Sequence, residues 1–204
     1  MYCATLISRQ AWAVVALAVI TTLPAAVAEA NCAHPGCNGI HFTAAYTGAA
    51  SGTRVITGMI LGSGSATSIY HCDFNSISID GSASPTHSSV CLELGGTTAF
   101  NNIRNNILAN FTGAQAGIAK HYCIRSTAAA QMGAVGSVSN FNDFHVANAT
   151  NGFTALTNTT DRITIADWRA ALTSNPNQDL NSIPNNPAFV DNNLDPHTQA
   201  IELN

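Results

Sequence analysis

Charged residues are scarce in this chain, and basic residues are the scarcest. Only 9% of the 204 residues are Asp, Glu, Lys or Arg, Lys120 is the single lysine, and the net charge is −4. Proteins that bind nucleic acid neutralise phosphates with clustered Lys or Arg, so the composition argues against nucleic acid as a partner. The 46% of hydrophobic residues argues against a disordered chain, and the length suits one domain.

Several motifs of known chemistry are also missing. The sequence contains no Gly-rich phosphate-binding loop, no Gly-x-Ser-x-Gly elbow and no His-Glu-x-x-His pair. A nucleotide-dependent enzyme, a serine hydrolase of the elbow type and a zinc protease are therefore not indicated. Any function must be argued from how the remaining polar residues are arranged.

The first thirty residues have the pattern of a secretory signal peptide. A polar start precedes an apolar run at residues 11–20, which is followed by Pro24 and the small residues Ala26-Val27-Ala28. The apolar run is too short to span a bilayer comfortably. We expect cleavage after Ala28 or Ala30, export to the extracellular space or periplasm, and no stable membrane insertion afterwards. A retained anchor is the alternative.

An exported chain can form disulfides, and five cysteines remain once Cys3 leaves with the signal peptide. Cys32 and Cys37 flank a Pro-Gly turn and can close a short loop on themselves. The alternative for this segment is a zinc site built from Cys32, His34, Cys37 and His41. Neither the spacing nor the compartment matches the usual zinc modules, so we expect no metal.

Two families of short segments recur in the middle of the chain. His71-Cys72-Asp73-Phe74 is similar to segments 104–107 and 141–144, at spacings of 33 and 37 residues, and segment 89–94 is similar to 121–126, 32 residues later. Recurrence at a nearly constant interval indicates stacked structural units. The Asn-rich segment 100–110 suits a stack of parallel strands, in which each Asn hydrogen-bonds the Asn above and below it.

These segments resemble the coils of right-handed parallel β-helix proteins, the pectate-lyase-like group. The resemblance rests on segments 100–110 and 139–144 and on the tail, and it covers roughly residues 40–200. It implies an all-β fold, a right-handed parallel β-helix (solenoid) of about three to four coils with an irregular C-terminal cap that contains a short helix. The expected divisions are a signal peptide at 1–28, an N-terminal cap and first strand at 29–67, the β-helix coils at 68–165 and the C-terminal cap at 166–204.

Strand alternation applied to the first family predicts an internal column and an external patch. The aligned residues Phe74, Ile107 and Phe144 are expected in the core, and this choice also turns Cys72, Asn105 and Asn142 inward. Their neighbours should then face solvent in rows across the coils. The candidate site residues lie in this outward patch, and they are Asp73, Arg104, Asn106, Asp143 and His145.

The second family aligns two further pairs on adjacent coils. Glu93 and Arg125 are expected to form a cross-strand ion pair. Cys91 and Cys123 are expected to be neighbours beside that pair, and their Cα atoms at about 4.8 Å would fall inside the disulfide range. We therefore expect a disulfide between them, although aligned side chains point the same way and this keeps the Cβ atoms apart. Cys72 is expected to be a buried free thiol.

The resemblance implies contact with extracellular or cell-wall polysaccharide. Lyases of the group use outward carboxylates, often with Ca²⁺, and an Arg or Lys base, whereas hydrolases use clustered aspartates. Asp73 and Asp143, two coils apart, would be separated by roughly 10 Å, which is marginal for the ~6.5–9.5 Å of inverting glycosidases. We therefore expect a binding or surface protein without a cofactor. The alternatives are a lyase or glycoside hydrolase acting on acidic polysaccharide, with Ca²⁺ under the lyase reading, and a structural or adhesive solenoid or a fragment of a larger surface protein.

Overall fold

The computed structural model describes residues 27–29, 39–43, 54–61, 69–80, 87–95, 100–112, 118–126, 132, 137–147, 150–172, 175, 177–191 and 195–198. This part of the chain is mostly β-structure with one short helix, so the all-β prediction is confirmed. Residues 1–26 of the expected signal peptide lie outside the described residues. So do Cys32, His34 and Cys37 of the expected loop or zinc site. The described part contains no helix that is long and apolar enough to cross a membrane.

Most of the strands follow one another in groups of three, which we call rounds. Three strands precede the first round, namely β1 (Val27–Glu29), β2 (Gly39–Thr43) and β3 (Arg54–Leu61). The first round is β4 (Ile69–Asp73), β5 (Ser76–Asp80) and β6 (His87–Leu94). The second is β7 (Phe100–Arg104), β8 (Ile107–Asn110) and β9 (His121–Ser126). The third is β10 (Val138–Asn140), β11 (Asp143–Val146) and β12 (Gly152–Thr157).

Each strand of a round joins a different sheet. The first sheet has the strand order β10-β7-β4, and the second has the order β1-β2-β5-β8-β11. The third sheet contains the neighbouring strands β12-β9-β6-β3. Strands from successive rounds pair in parallel in all three sheets. β2 also pairs in parallel with β5. The segment 29–67, expected as a cap with one strand, therefore adds a strand to the second sheet as well as β3 to the third.

The tail covers the third round. It contains β13 (Thr160–Arg162), the helix α1 (Ile165–Ala171), β14 (Phe189–Asp191) and β15 (Asp195–Thr198). β13 pairs antiparallel with β12, and Ile183 forms a parallel bridge with Asp143 on the outer edge of β11. The short helix expected near the start of the cap is confirmed, and the fully buried Trp168 anchors it. Pairing of this kind satisfies backbone groups that an edge strand would leave open.

The register of the first sheet differs from the predicted one. Asp73 pairs with Arg104, and Arg104 pairs with Asn140, so the offsets are 31 and 36 residues rather than 33 and 37. The predicted core column is therefore wrong. Phe74 is 70% exposed and Ile107 is half-buried, while Phe144 alone of the three lies in the core.

A single left-handed residue between the first and second strands of every round explains the difference. Phe74, Asn105 and Phe141 have φ angles of 60°, 56° and 57°. A residue with positive φ interrupts the alternation of side chains along a strand. The alternation of inward and outward side chains along β4, β7 or β10 therefore cannot be extended across this residue into the next strand. As a result Asn105, which was predicted to face inward, is exposed.

An asparagine ladder is present, but it is formed by the residue after this turn, so Asn106, which was predicted to face solvent, takes the place expected for Asn105. Asn75 Nδ2 donates to Asn106 Oδ1, and Asn106 Nδ2 donates to Asn142 Oδ1, both at 3.0 Å. Asn106 and Asn142 are 1% exposed. Each amide can both donate and accept, so the same side chain repeats from round to round without leaving a buried polar atom unsatisfied.

The apolar core lies between the three sheets. Every sheet contributes cross-strand rows to it, among them Cys72 with Ile103, Ile77 with Leu108 and Phe144, and Leu92 with Ile124 and Ala155. These side chains are at most 2% exposed. Burying one large aliphatic side chain contributes roughly 1.5–3 kcal/mol, so these rows make a large apolar contribution to stability.

The second repeat family keeps its predicted offset of 32 residues, because Glu93 pairs with Arg125. Their ion pair is confirmed, with Arg125 Nη2 at 2.6 Å from Glu93 Oε2. The predicted Cys91–Cys123 disulfide is not present, since both residues are free thiols. Both thiols are buried in the apolar core. Aligned side chains on parallel strands keep their Cβ atoms about a strand spacing apart, beyond the ~3.8 Å typical of disulfides.

We expect Cys72, Cys91 and Cys123 to resist alkylation in the folded protein and to react once it is unfolded. The thiolate is the reactive form. Burial and the charge of Asp73 raise the pKa of Cys72 to about 12, and burial also raises the pKa values of Cys91 and Cys123. Iodoacetamide labelling followed by peptide mass spectrometry, with and without urea, measures this. A Cys91–Cys123 cross-linked peptide under non-reducing conditions would contradict the free thiols.

Candidate functional site on the outer face of the first sheet

The outer face of the first sheet is built by strict alternation along β4, β7 and β10. Cys72, Ile103 and Ser139 point inward and are fully buried. The residues on either side of them therefore face outward in two rows across the sheet. The rows are His71 with Asn102 and Val138, and Asp73 with Arg104 and Asn140.

The left-handed residues add a third row, which we call the corner row: Phe74, Asn105 and Phe141. The backbone keeps this row in register, because Phe74 N–H donates to Arg104 O and Asn105 N–H donates to Asn140 O, at 3.1 and 3.3 Å. Phe74 is 70% and Phe141 is 56% exposed. With strands about 4.8 Å apart, the two phenylalanines lie roughly 10 Å from one another, with Asn105 between them.

The two phenylalanines of the corner row contribute little to folding. A non-glycine residue with left-handed φ costs about 1–3 kcal/mol of backbone strain, and an exposed ring gains little from burial. Asn at the same position, as in the middle round, avoids most of this cost because Asn is enriched in left-handed conformations. Exposed aromatic side chains on a strained backbone indicate that this surface binds a ligand.

The charged groups of this face neutralise each other. Arg104 Nε lies 3.4 Å from Asp73 Oδ1, and His71 Nδ1 lies 3.8 Å from the other oxygen of that carboxylate. Asn102 Nδ2 is 3.2 Å from His71 Nδ1. Such exposed pairs are worth about 0–1 kcal/mol. Their main effect is that Asp73 and Arg104 on this face compensate each other's charge.

The structure brings together only two of the five predicted site residues, Asp73 and Arg104. Asn106 is internal, in the asparagine ladder. His145 lies on β11 in the second sheet, where its ring is 5.0 Å from that of Phe111 and burial lowers its pKa. The patch was predicted as one surface because the offsets of the first family were misaligned.

Asp143, the fifth predicted residue, is covered by the tail. It is 1% exposed, and Asn185 N–H donates to its Oδ1 at 3.0 Å. Burial raises the pKa of Asp143 to about 7, against a smaller lowering by the Asn185 hydrogen bond. Asp73 and Asp143 therefore belong to different sheets and do not form a carboxylate pair on one surface.

No motif in the sequence marks the buried pair of Ser89 and His121. Ser89 Oγ is 2.8 Å from His121 Nδ1, and the Asn110 and Thr112 side chains also contact Ser89. Burial lowers the pKa of His121, which favours the neutral ring. A hydroxyl beside a neutral imidazole resembles a nucleophile with its base. Both residues are 1% exposed, however, so a substrate does not reach them, and the pair is a polar element of the interior.

The remaining clusters of the described residues stabilise the tail. Lys120 Nζ and Tyr122 Oη bind the two oxygens of Asp161 at 2.5 and 2.9 Å, which ties β13 to β9. Asp179 accepts hydrogen bonds from Ser139, Asn142, Ser182 and Trp168. In the part of the chain that the structure describes, no three His, Cys, Asp or Glu residues are placed to hold a metal ion.

Comparisons of this chain with family models, with curated proteins and with solved structures find no match. A fold by itself does not define a function. The outer face and the corner row are the surface features of the described residues that indicate a function.

Proposed function

We propose that the protein is an exported, short right-handed parallel β-helix that contacts extracellular or cell-wall polysaccharide through the corner row and the adjoining outer face. The chain visits three parallel sheets in the same order in every round, and connections between parallel strands are right-handed in nearly all proteins. The asparagine ladder fits a stack of such coils. The N-terminal sequence pattern supports export.

The observation that carries the binding proposal is the pair of exposed phenylalanines in one row with Asn105 between them. A sugar ring has an apolar face of C–H groups, which packs on an aromatic ring, and an edge of hydroxyls. The amide of asparagine can donate to and accept from such hydroxyls. Phe74, which was predicted to lie in the core, therefore becomes part of the exposed row together with Phe141.

The same geometry favours binding over catalysis. General acid–base cleavage of a glycosidic bond uses two carboxyl groups flanking one bond. Asp73 is paired with Arg104 on the first sheet, whereas Asp143 is buried beneath the tail. The alternative of a lyase or hydrolase therefore has less support than a surface that holds its ligand unchanged.

We expect the wild-type protein to bind glycans on an array and the double variant Phe74→Asn/Phe141→Asn to lose that binding. Asn already occupies the equivalent position at residue 105, so the left-handed backbone is retained and the fold should be at least as stable. Ile163→Ala is the matched control, because Ile163 is a 67% exposed apolar residue outside the outer face. Glycan binding that survives in the double variant would rule out the corner row as the site.

A further inference from the structure

We propose that the ligand of the corner row is an uncharged linear polysaccharide that runs across β4, β7 and β10, along the direction in which the rounds stack. This inference rests on the proposed function and adds the charge class and the direction of the polymer. Two observations carry it. One is the engagement of the cationic side chains, and the other is the spacing of the row.

Three of the described cationic side chains are paired with carboxylates, and the one on the outer face, Arg104, is among them. Arg104 is held by Asp73, Lys120 by Asp161 and Arg125 by Glu93. Arg162 and Arg169 lie outside the outer face and hydrogen-bond to neutral groups, and Arg162 Nε donates to Thr157 Oγ1 at 2.8 Å. Arg169 donates to the backbone carbonyls of Asp179 and Ser182, both at 2.7 Å.

The overall charge acts in the same direction. The chain carries a net charge of −4 at neutral pH. A protein of that sign repels a polyanion at long range, which lowers the rate of encounter. Recruitment of an acidic polymer would require a local cluster of free Lys or Arg, and the outer face has Arg104 alone. Neither the repulsion nor the lack of a cation cluster affects a neutral polymer.

The spacing of the row indicates a polymer and sets its direction. Each round contributes one corner side chain, so contacts recur at the strand spacing of about 4.8 Å along the stack. The order Phe74, Asn105, Phe141 alternates an apolar platform with an amide. A chain of linked sugar rings presents repeating apolar faces and hydroxyl edges in one direction, and it can engage all three positions only when it crosses the strands.

A folded protein partner fits this surface less well. The centre of a protein–protein interface is a contiguous apolar area depleted of charged residues. Here the two phenylalanines are separated by Asn105, and the Asp73–Arg104 pair lies directly beside them. The surface therefore lacks the apolar centre that such a partner buries.

Titration calorimetry of the full chain with soluble polysaccharides tests the inference. The neutral probes are hydroxyethyl cellulose, galactomannan and dextran, and the acidic probes are polygalacturonate and alginate, each at low and high NaCl. We expect binding of at least one neutral polymer with little dependence on salt, because screening weakens only charge–charge attraction. Phe74→Asn and Phe141→Asn should each weaken it about tenfold, the loss of one ring contact.

The outcomes separate this inference from the proposed function. Salt-sensitive binding of an acidic polymer that is lost in both Phe→Asn variants would keep the corner row as the site and overturn the uncharged ligand. If no probe, neutral or acidic, is bound in a way that depends on Phe74 and Phe141, the proposed function itself falls.

A charge variant tests whether the pairing of Arg104 with Asp73 is what prevents an acidic polymer from binding. Asp73→Asn releases Arg104, so this variant should gain weak affinity for polygalacturonate that the wild type lacks, and this affinity should fall as NaCl is raised. Leu180→Ala is the control, since Leu180 is an exposed apolar residue of the tail. If Asp73→Asn gains no affinity for polygalacturonate, the Asp73–Arg104 pair is not the cause of the charge selectivity.

Discussion

Replacing Asn106 with aspartate is expected to cost about 4 kcal/mol or more, a large part of the 5–15 kcal/mol that stabilises an ordinary domain. Asn106 Nδ2 donates to Cys72 O and Asn142 Oδ1, at 2.7 and 3.0 Å. A carboxylate cannot donate, so two acceptors lose their donor and face a negative charge. The site is 1% exposed, which prevents water from replacing the lost hydrogen bonds.

The matched control is the same chemical change one residue earlier. Asn105 is exposed, and Asp tolerates left-handed φ nearly as well as Asn. Asn105→Asp should therefore change the free energy of unfolding by less than about 1 kcal/mol. Urea unfolding followed by circular dichroism compares the two variants. Equal losses in both would mean that the asparagine ladder does not contribute specifically to stability.

Asp143→Asn is expected to stabilise the protein above neutral pH and to have little effect near pH 4. The pKa of Asp143 is raised by burial from 3.8 to about 7 in the folded state. A raised carboxyl pKa means that the folded state binds the proton more tightly than the unfolded state. The associated stability is present below about pH 4 and is lost as the pH rises through about 7. Asparagine keeps the Oδ1 acceptor for Asn185 N–H and never ionises.

The size of this effect follows from the shift. Three pKa units correspond to at most ~4 kcal/mol, and relaxation of the tail would reduce the observed gain. The free energy of urea unfolding, measured between about pH 4 and pH 8.5, should therefore decline for the wild type by more than for Asp143→Asn. Two curves that stay parallel over this range would show that Asp143 is ionised without penalty, and hence accessible to water.

Asp167→Asn provides a control of opposite sign. Hydrogen bonds from Thr164 lower the pKa of Asp167, which completes the capping box at the start of α1. Stability from a depressed carboxyl pKa is present above the unfolded value and is lost on acidification. This variant should therefore be less stable than the wild type at neutral pH and approach it in acid.

The repeat of the third sheet could be predicted because nothing interrupts the alignment of its strands. Segments 89–94 and 121–126 are similar in sequence, and the shared offset placed Glu93 beside Arg125 correctly. The existence of an asparagine ladder was also predictable, since a run of asparagines is poor in helices and in isolated strands, but its members were not, because Asn105 was expected to face inward and Asn106 outward. These predictions needed only local pattern and a constant interval.

The candidate site was predictable only in part. The pair Asp73 and Arg104 was placed on one surface even though the offset was wrong, because both residues lie in the same kind of strand. Phe74 was assigned to the core because hydrophobic residues usually are. A left-handed phenylalanine is rare, and nothing in the sequence marked this one, although Asn105 at the aligned position suggests a turn once the register is known.

By itself the sequence determined the all-β class, the parallel pairing of its similar segments and the scarcity of free cationic charge. Only the tertiary structure decided which side chains are accessible. Asp143 is covered by the segment around Ile183 and Asn185, some forty residues later in the chain, and Phe74 is exposed by one backbone angle. Alternation reports the two faces of a single strand. It carries no information on a turn that changes the face, or on a distant segment that covers it.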